Sequence, residues 1–557
     1  MANWEANVLP GILGRVCDRP CEPACRRSRV EHEPVAICRL KRYAADTKGD
    51  IEKLLPKPVS KKNGKRIALV GGGPASLAVA RDLAPLGYQC IIFDGYPKAG
   101  GMMRSRVPQF RLPEAVVEEE TGYVLRLGVE FVGGRPVDSL KALLQEGWDA
   151  VFVGSGAPRG LDLDLPGRME AGHNIHVGVD WLANIRFGHV DRVGKRVVVI
   201  GGGNTAMDCG RSARRLGGAT VEVVVRESYE DMTAASWEKE ALIEDGVVIS
   251  TDLAPKSFTH EGGRLTGVLF EPVKVVRTDE GWKVTPTGAP VRHVPCDDVV
   301  IAIGQQPALT WIERDIGVEF GEDGLPKVDP RTLRSTHPKV FSGGDAAFGP
   351  RNIVTAVAQG REAAISMDRF LSGASVEERP APSVTLADQH SPALWRRRPD
   401  VSVDARHPVP QAPRAAALAD IRMEAELGFD VDKALAEAGR CLECDRQTVF
   451  DAALCVECKA CEEGCPTDCI TFTRNGDESD LRGRLRAPAT NPDQDLYVGD
   501  GLVSGRVMVK AEDVCLHCGL CAENCPTGAW KMQTFLLQVP HAGNACGTRL
   551  AKGDIHG

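Results

Sequence analysis

The chain has 557 residues, 43% of them hydrophobic and 26% charged, with a formal net charge of −8 and 19 cysteines. Its acidic balance and the lack of a basic block with interleaved aromatics exclude a nucleic-acid surface, and no apolar run of about 18 residues offers a membrane span. The length predicts roughly three or four domains. Residues 1–10 lack the cationic start and apolar core of a signal peptide, so the expected compartment is the reducing cytoplasm, where thiols bind metals rather than form disulfides. Four cysteines lie before residue 40 and twelve after residue 440, with only Cys90, Cys209 and Cys296 between.

Residues 1–64 are expected to form a Cys-rich segment and a linker. Cys17, Cys21 and Cys25 follow one another at four-residue spacing, and Cys38 completes a set of four thiols. Such a set can hold one iron–sulfur cluster, whose negative charge Arg19, Arg26 and Arg27 would offset; a zinc site is the alternative. Residues 46–64, broken by Pro56 and Pro58, read as a linker wrapping onto the next domain.

The apolar β-branched run Ile67 to Val70 ends in Gly71-Gly72-Gly73-Pro74-Ala75-Ser76 and enters an Ala/Val/Leu-rich helical pattern. That is a buried parallel strand turning into a helix whose N-terminal amides suit a pyrophosphate. Ser76 replaces the third glycine, so helix and strand are expected to pack less closely. A second run, Tyr88 to Phe93, delivers Asp94 where a ribose hydroxyl would be held. Gly100-Gly101 and Val151 to Ala157 are further small-residue turns of the kind that lets backbone approach a large nucleotide.

Arg196 to Ala206 repeats the strand and turn about 130 residues later, as Gly201-Gly202-Gly203-Asn204-Thr205-Ala206, with alanine at the third position. The next strand ends at Arg226-Glu227. Arg226 could pair with a 2′-phosphate and Glu227 could accept from a free 2′-hydroxyl, so NADP and NAD both stay open, with a lean to NADP. Residues 246–300 read as β-rich and alternating. Lys339 to Ala347 is then a strand ending in Gly344-Asp345, with a helix from Ile353, and Asp345 can reach a ribityl hydroxyl.

These motifs follow the order of flavoproteins with two dinucleotide-binding domains. Together with the Gly14 to Cys25 segment and Val107 to Pro113, they resemble the small subunit of glutamate synthase and its relatives over about residues 10–370. The resemblance implies FAD at Gly71, Gly73, Asp94, Gly344 and Asp345, with Ser76 and Gly101 beside it. It implies the nicotinamide nucleotide at Gly201, Gly203, Asn204, Ala206 and Arg226.

The expected organisation is α/β, with two nested Rossmann-like domains. A first FAD part spans 65–190, a NAD(P) part 191–300 and a second FAD part 301–371; a Pro-rich linker and helix follow over 372–440, with a ferredoxin-like α+β domain at 441–557. Within the linker, 372–420 reads as a partner-wrapping arm bearing Arg396-Arg397-Arg398. The phrase Arg440-Cys441-Leu442-Glu443-Cys444 resembles one that opens the chain in glutamate synthase relatives. Transposed here, it predicts Cys441 and Cys444 folding back toward the N-terminal cysteines as further ligands, with unligated thiols as the alternative.

Cys455-x2-Cys458-x2-Cys461-x3-Cys465-Pro and Cys515-x2-Cys518-x2-Cys521-x3-Cys525-Pro carry the strongest signal. Three thiolates wrap one cubane and the fourth, before proline, serves the other cluster. One [4Fe–4S] cluster is thus expected on Cys455, Cys458, Cys461 and Cys525, and a second on Cys515, Cys518, Cys521 and Cys465. Residues 477–501 read as a surface loop, and Cys469 and Cys546 have no assigned role.

Nicotinamide carries two electrons as hydride, cubanes carry one, and flavin exchanges both ways. The expected function is an NAD(P)-dependent FAD and iron–sulfur electron-transfer subunit of a larger oxidoreductase, with ferredoxin or a 2-oxoacid:ferredoxin-type oxidoreductase as partner and no catalytic side chain. A glutamate synthase small subunit and a non-catalytic docking scaffold are the alternatives. No dithiol stands beside the flavin motifs, which argues against disulfide reduction.

Overall fold

A computed structural model describes residues 1–31, 33–278, 281–379, 382–388, 404–442 and 444–543. Arg396 to Arg398, Glu443 and Cys546 lie outside the described residues. No helix among the described residues is long and apolar enough to cross a membrane.

Short β-branched runs buried on both faces make parallel sheets, and two of these dominate. The first orders its strands Val340–Ser342, Ala150–Val153, Arg66–Val70, Gln89–Asp94 and Glu130–Gly133, all parallel. The second orders Ile175–Val177, Asp298–Ile301, Arg196–Ile200, Thr220–Val224 and Val248–Ser250, again all parallel. The first sheet draws its last strand from beyond the second, so the two units are nested. An antiparallel set, Leu253–Glu261, Arg264–Thr278, Gly281–Pro286 and Arg292–Pro295, covers the second sheet's core.

The strand Ile175–Val177 enters the second sheet ahead of residue 191, where that unit was expected to begin. Three residues carry too little pattern to be read alone. Asn174 and His176 instead meet Asp298, and that carboxylate also accepts from the Gly194 amide at 2.6 Å.

Ser76 corrects a second expectation. The helix Pro74–Leu83 packs tightly on its strand despite the missing glycine, and Ser76 is fully buried. Gly154, just past the end of the neighbouring strand Ala150–Val153, leaves the room: a Cβ there would lie 2.4 Å from the Ser76 hydroxyl. Gly360 does the same for the long helix Ile353–Leu371, where a Cβ would lie 2.3 Å from the Ala75 carbonyl.

The N-terminal helices Pro10–Val16 and Ile37–Asp46 dock on the first sheet's helical layer. Glu120 is the fastener: its buried carboxylate accepts from the Gly11 and Ile12 amides at 2.6 and 2.9 Å, at the start of the first of these helices. These are donors that a helix N-terminus leaves unpaired.

The arm is less free than its prolines implied. Ser383–Asp388 is a strand pairing antiparallel with Trp530–Gln538, inside the C-terminal sheet. Residues 404–440 then clamp the N-terminal segment. Arg15, Arg39 and Arg42 pair with Glu424, Glu426 and Asp46, Arg406 pairs with Glu22 at 2.7 Å, and Glu437 accepts from the Ala36 amide at 2.7 Å. Between the two cysteine motifs, residues 477–501 hold a helix, Glu478–Arg482, and a strand, Tyr497–Val498, rather than only a loop. Leu481 is buried there, in a core the polar composition conceals.

Candidate functional site

Each parallel sheet presents a glycine turn at the C-terminal end of its central strand. At the first, Gly71 has φ +95°, and a Cβ there would meet the Gly154 carbonyl oxygen at 2.5 Å. Gly101, at φ +52°, closes on Gly73, whereas nothing lies within 4 Å of a Cβ on Gly73 itself. The turn is thus tight beneath and open above, and Pro74 opens the helix at a position where a missing N–H costs nothing. Asp94 braces it, accepting from the Gly72 and Tyr96 amides at 2.5 and 2.7 Å, and burial raises its pKa.

Gly344 (φ +66°) and Asp345 stand at the end of the edge strand Val340–Ser342, two strands from the turn with Ala150–Val153 between. Asp345 accepts from the Arg351 amide, and burial pushes its carboxyl up to about 6. Two buried hydroxyls here, on Ser76 and Ser155, have no hydrogen-bond partner in the polypeptide. A glycine cradle with orphaned donors fits a dinucleotide such as FAD.

At the second turn a Cβ on Gly201 would meet the Ala302 carbonyl at 2.2 Å. Gly203 precedes the helix Asn204–Arg215, Asn204 accepts from the Ala235 amide, and Ala206 is fully buried. Arg226 is half exposed and pairs with Glu227 at 2.7 Å. The Glu227 carboxylate lies near the turn, 3.7 Å from a Cβ built on Gly202. Arg111, in the Val107 to Pro113 loop, ties the two units by bonding to Asp208 at 2.8 Å and pairing with Glu238.

The N-terminal thiols lie against the flavin-side unit. Cys17 and Cys38 are buried with Leu13 against Ile353 and Val354, the first turn of the helix that follows Asp345. Cys38 Sγ donates toward the Leu13 and Gly14 carbonyls at 3.4 and 3.5 Å, and its neighbourhood with Cys17 draws the Cys17 thiol down to about 6. Cys21 is exposed and Cys25 half-buried. Around them the Arg19 and Arg39 Nε and the Arg26 Nη1 atoms are buried without a partner, a setting that fits an anionic centre.

Cys441 and Cys444 do fold back. Arg440 is fully buried and donates to the carbonyls of Glu33 and Pro34 at 3.1 Å each, and it pairs with Glu437 at 2.8 Å. Cys444 lies close enough to Cys25 and Arg26 for their charges to bear on its thiol. Its carbonyl meets His517 Nδ1 at 3.2 Å, within the second cysteine motif.

In the C-terminal domain the thiols collect in two pockets. One is lined by Cys465, Cys515, Cys518 and Cys521 and also by Cys469. The other is lined by Cys455, Cys458, Cys461 and Cys525. The two quartets are those expected from the spacing, each drawing its fourth thiol from the other motif. Trp530, whose indole N–H has no hydrogen-bond partner in the polypeptide, lines the second pocket, and the Cys469 and His517 amides donate to Cys465 and Cys515 Sγ at 3.3 and 3.4 Å in the first, so the donor set fits a sulfide-bearing cluster in each. Cys469 is the site residue the spacing did not reveal. The three central cysteines, Cys90, Cys209 and Cys296, are buried singly and form no dithiol.

Comparisons with known proteins agree with this layout. Residues 65–360 match the family model "Pyridine nucleotide-disulphide oxidoreductase", residues 454–529 a "4Fe-4S dicluster domain", and residues 2–52 "Dihydropyrimidine dehydrogenase domain II, 4Fe-4S cluster". The chain is 35% identical over 480 residues to the NADP(+)-dependent formate dehydrogenase subunit beta of Moorella thermoacetica, covering 79% of this chain and 66% of that one. It is 31% identical to the NADPH-Fe(3+) oxidoreductase subunit beta of Geobacter sulfurreducens, over 79% of this chain and 70% of that one. Against the glutamate synthase [NADPH] small chain of Halomonas elongata it is 33% identical, over 64% of this chain and 79% of that one.

Proposed function

The chain belongs to the pyridine nucleotide-disulphide oxidoreductase family, and from that premise we propose that it is the electron-transfer subunit of a larger oxidoreductase. It exchanges electrons between NADP(H), FAD and [4Fe–4S] clusters. The observation that carries this reading is the succession of thiols: from the Gly344-Asp345 turn, through Cys17 and Cys38, past Cys25, Cys441 and Cys444, to the two four-cysteine pockets. When bound, flavin supplies the conversion between hydride and single electrons.

The residues of the chain bind and orient. Gly71, Gly73, Gly101 and Ser76 shape the FAD diphosphate cradle, Asp94 holds a ribose, and Gly344 and Asp345 hold the ribityl end. Gly201, Gly203, Asn204 and Ala206 shape the nicotinamide nucleotide's cradle, and Arg226 engages its 2′-phosphate once it leaves Glu227. Cys17, Cys21, Cys25 and Cys38 hold a third cluster, beside which Cys441 and Cys444 lie as further ligands. The three central cysteines, buried apart, leave no thiol pair for disulfide chemistry despite the family's description.

The partner is another subunit that handles electrons singly, of the formate-oxidising or 2-oxoacid-oxidising kind, in the cytoplasm. Its landing place is beside the far pocket, that of Cys455, Cys458, Cys461 and Cys525 (the pocket of Cys465, Cys515, Cys518 and Cys521, which Cys444 adjoins through His517, being the near one), where Val456, Leu454 and Val503 are exposed and Ser504 bonds to Glu457. Purification from its source under anaerobic conditions tests this. A yellow chromophore and a co-purifying dehydrogenase subunit support it; a colourless chain, or a glutamine-hydrolysing large chain as companion, contradicts it.

A further inference from the structure

The two cluster pockets are built by two halves of one repeated plan. Cys515 stands five residues after Lys510, as Cys455 does after Phe450, and Lys510 opposes Ile470 in its sheet as Phe450 opposes Trp530. Cys465-Pro466-Thr467-Asp468-Cys469 corresponds to Cys525-Pro526-Thr527-Gly528-Ala529. The correspondence extends to hydrogen bonds: the Cys469 amide donates to Cys465 Sγ at 3.3 Å, and the Ala529 amide to Cys525 Sγ at 3.2 Å.

The two linings differ at several positions, and two of these change what the thiols meet in the near pocket. Where the far pocket has the Phe450 ring, the near one has Lys510, fully buried, its Nζ held by the Thr448 carbonyl and hydroxyl at 2.9 and 3.0 Å. Where the far pocket has the Ala529 methyl, the near one has the Cys469 thiol, 3.4 Å from Cys465 Sγ. Lys510 pairs with Glu512 at 2.7 Å, but Glu512 does not line the pocket and is shared with His517, so the ammonium is the end of the pair that faces the thiols. The surrounding loops lean the same way. Lys459 also lines the far pocket, but it is half exposed and pairs with Glu462 at 3.8 Å in a loop that carries Glu457 and Glu463 as well, whereas 515–525 carry Glu523 and His517. Trp530 gives the far pocket one neutral N–H; a full charge outweighs that dipole.

A cluster's potential follows the net charge around it and the hydrogen bonds to its sulfurs. We propose that Lys510, with the Cys469 thiol as a second donor, holds the cluster on Cys465, Cys515, Cys518 and Cys521 at a higher potential than its twin on Cys455, Cys458, Cys461 and Cys525. The near cluster adjoins Cys444, through His517, on the side of the N-terminal thiols. A single electron entering at the far pocket therefore runs downhill inward, toward the flavin-side unit. This rests on the reading of the two pockets as cluster sites, which iron content and two cubane signals in the unaltered protein test separately.

The experiment is a potentiometric titration of the full-length, cluster-loaded chain followed by paramagnetic resonance, with Cys525→Ser used to assign the far centre's signal. The near centre is expected to reduce first. Lys510→Met should lower that centre's midpoint by enough to shift the electron's partition at least tenfold, about 59 mV for a one-electron couple, and leave the far centre in place. Cys469→Ala should lower the same midpoint by less, and Ala529→Cys should raise the far one. A far centre that reduces first, or a Lys510→Met variant whose midpoints do not move, overturns the proposal. If Lys510→Met fails to retain its iron, the two small substitutions decide: no movement in either direction overturns it as well.

Discussion

Replacing Glu120 by glutamine removes a titrating group from the joint between the cysteine-bearing helix and the flavin-side sheet. Glu120 is buried, and desolvation raises its carboxyl to about 7 from an ordinary 4.5, against the pull of the two amides it accepts from. A carboxyl with a raised folded pKa binds more protons folded than unfolded between those values. Its contribution is therefore present below about 4.5 and is lost as pH rises toward 7. Between pH 5.5 and 8 that loss amounts to about 2 kcal/mol, roughly thirtyfold in an equilibrium constant. Glutamine still offers one acceptor but has no such dependence. Hydrogen exchange at the Gly11 and Ile12 amides, corrected for intrinsic rates, should show the wild-type protection falling roughly thirtyfold relative to the variant over this range. A ratio that stays constant with pH would refute the reasoning, because it would mean that Glu120 does not titrate at this joint.

Other outcomes follow from the same geometry. Cys21→Ser should lower iron by about four atoms per chain, one cubane's worth, and leave both C-terminal centres intact by paramagnetic resonance; unchanged iron would return Cys17 to Cys38 to zinc or free thiols. Arg226→Ala should raise the KM for NADPH far more than that for NADH, and equal changes would assign the half-exposed guanidinium no role in the 2′-phosphate. Arg440→Ala removes the guanidinium from the buried Glu437 carboxylate, which keeps the Ala36 amide and His407, and should destabilise the clamp on residues 33–36 by about 1.5–3 kcal/mol, read as proteolysis within 404–442. Full protection there would mean that the arm is held by other contacts.

How much of this was legible in the sequence depends on the range of the interaction. The glycine turns and the two cysteine quartets are local patterns with fixed spacing, and the structure assembles each where its spacing implied. The strand Ile175–Val177 and the arm strand Ser383–Asp388 escaped because three to six residues near glycines or prolines carry too little periodicity, and only their partners, Asp298–Ile301 and Trp530–Gln538, define them. The clamp was invisible for another reason: Arg39 and Glu426 meet across 387 residues, and charge alone does not name its partner. Ser76 looked like a defect because the compensating glycine, Gly154, lies just past the end of another strand. Cys469 and Lys510 were within reach of the sequence, since aligning the two cysteine motifs on each other exposes both against Ala529 and Phe450.

The claim at the centre of this account is that electrons pass within one chain between the C-terminal clusters and the nicotinamide nucleotide. The direct measurement is to photoreduce the cluster-loaded protein anaerobically, mix it with NADP⁺, and freeze samples in time for paramagnetic resonance while NADPH is followed by absorbance. Both C-terminal cubane signals should decay in step with NADPH formation, with more NADPH produced than the flavin alone can yield. NADPH limited to the flavin's own equivalents, with the cubane signals persisting, would contradict it.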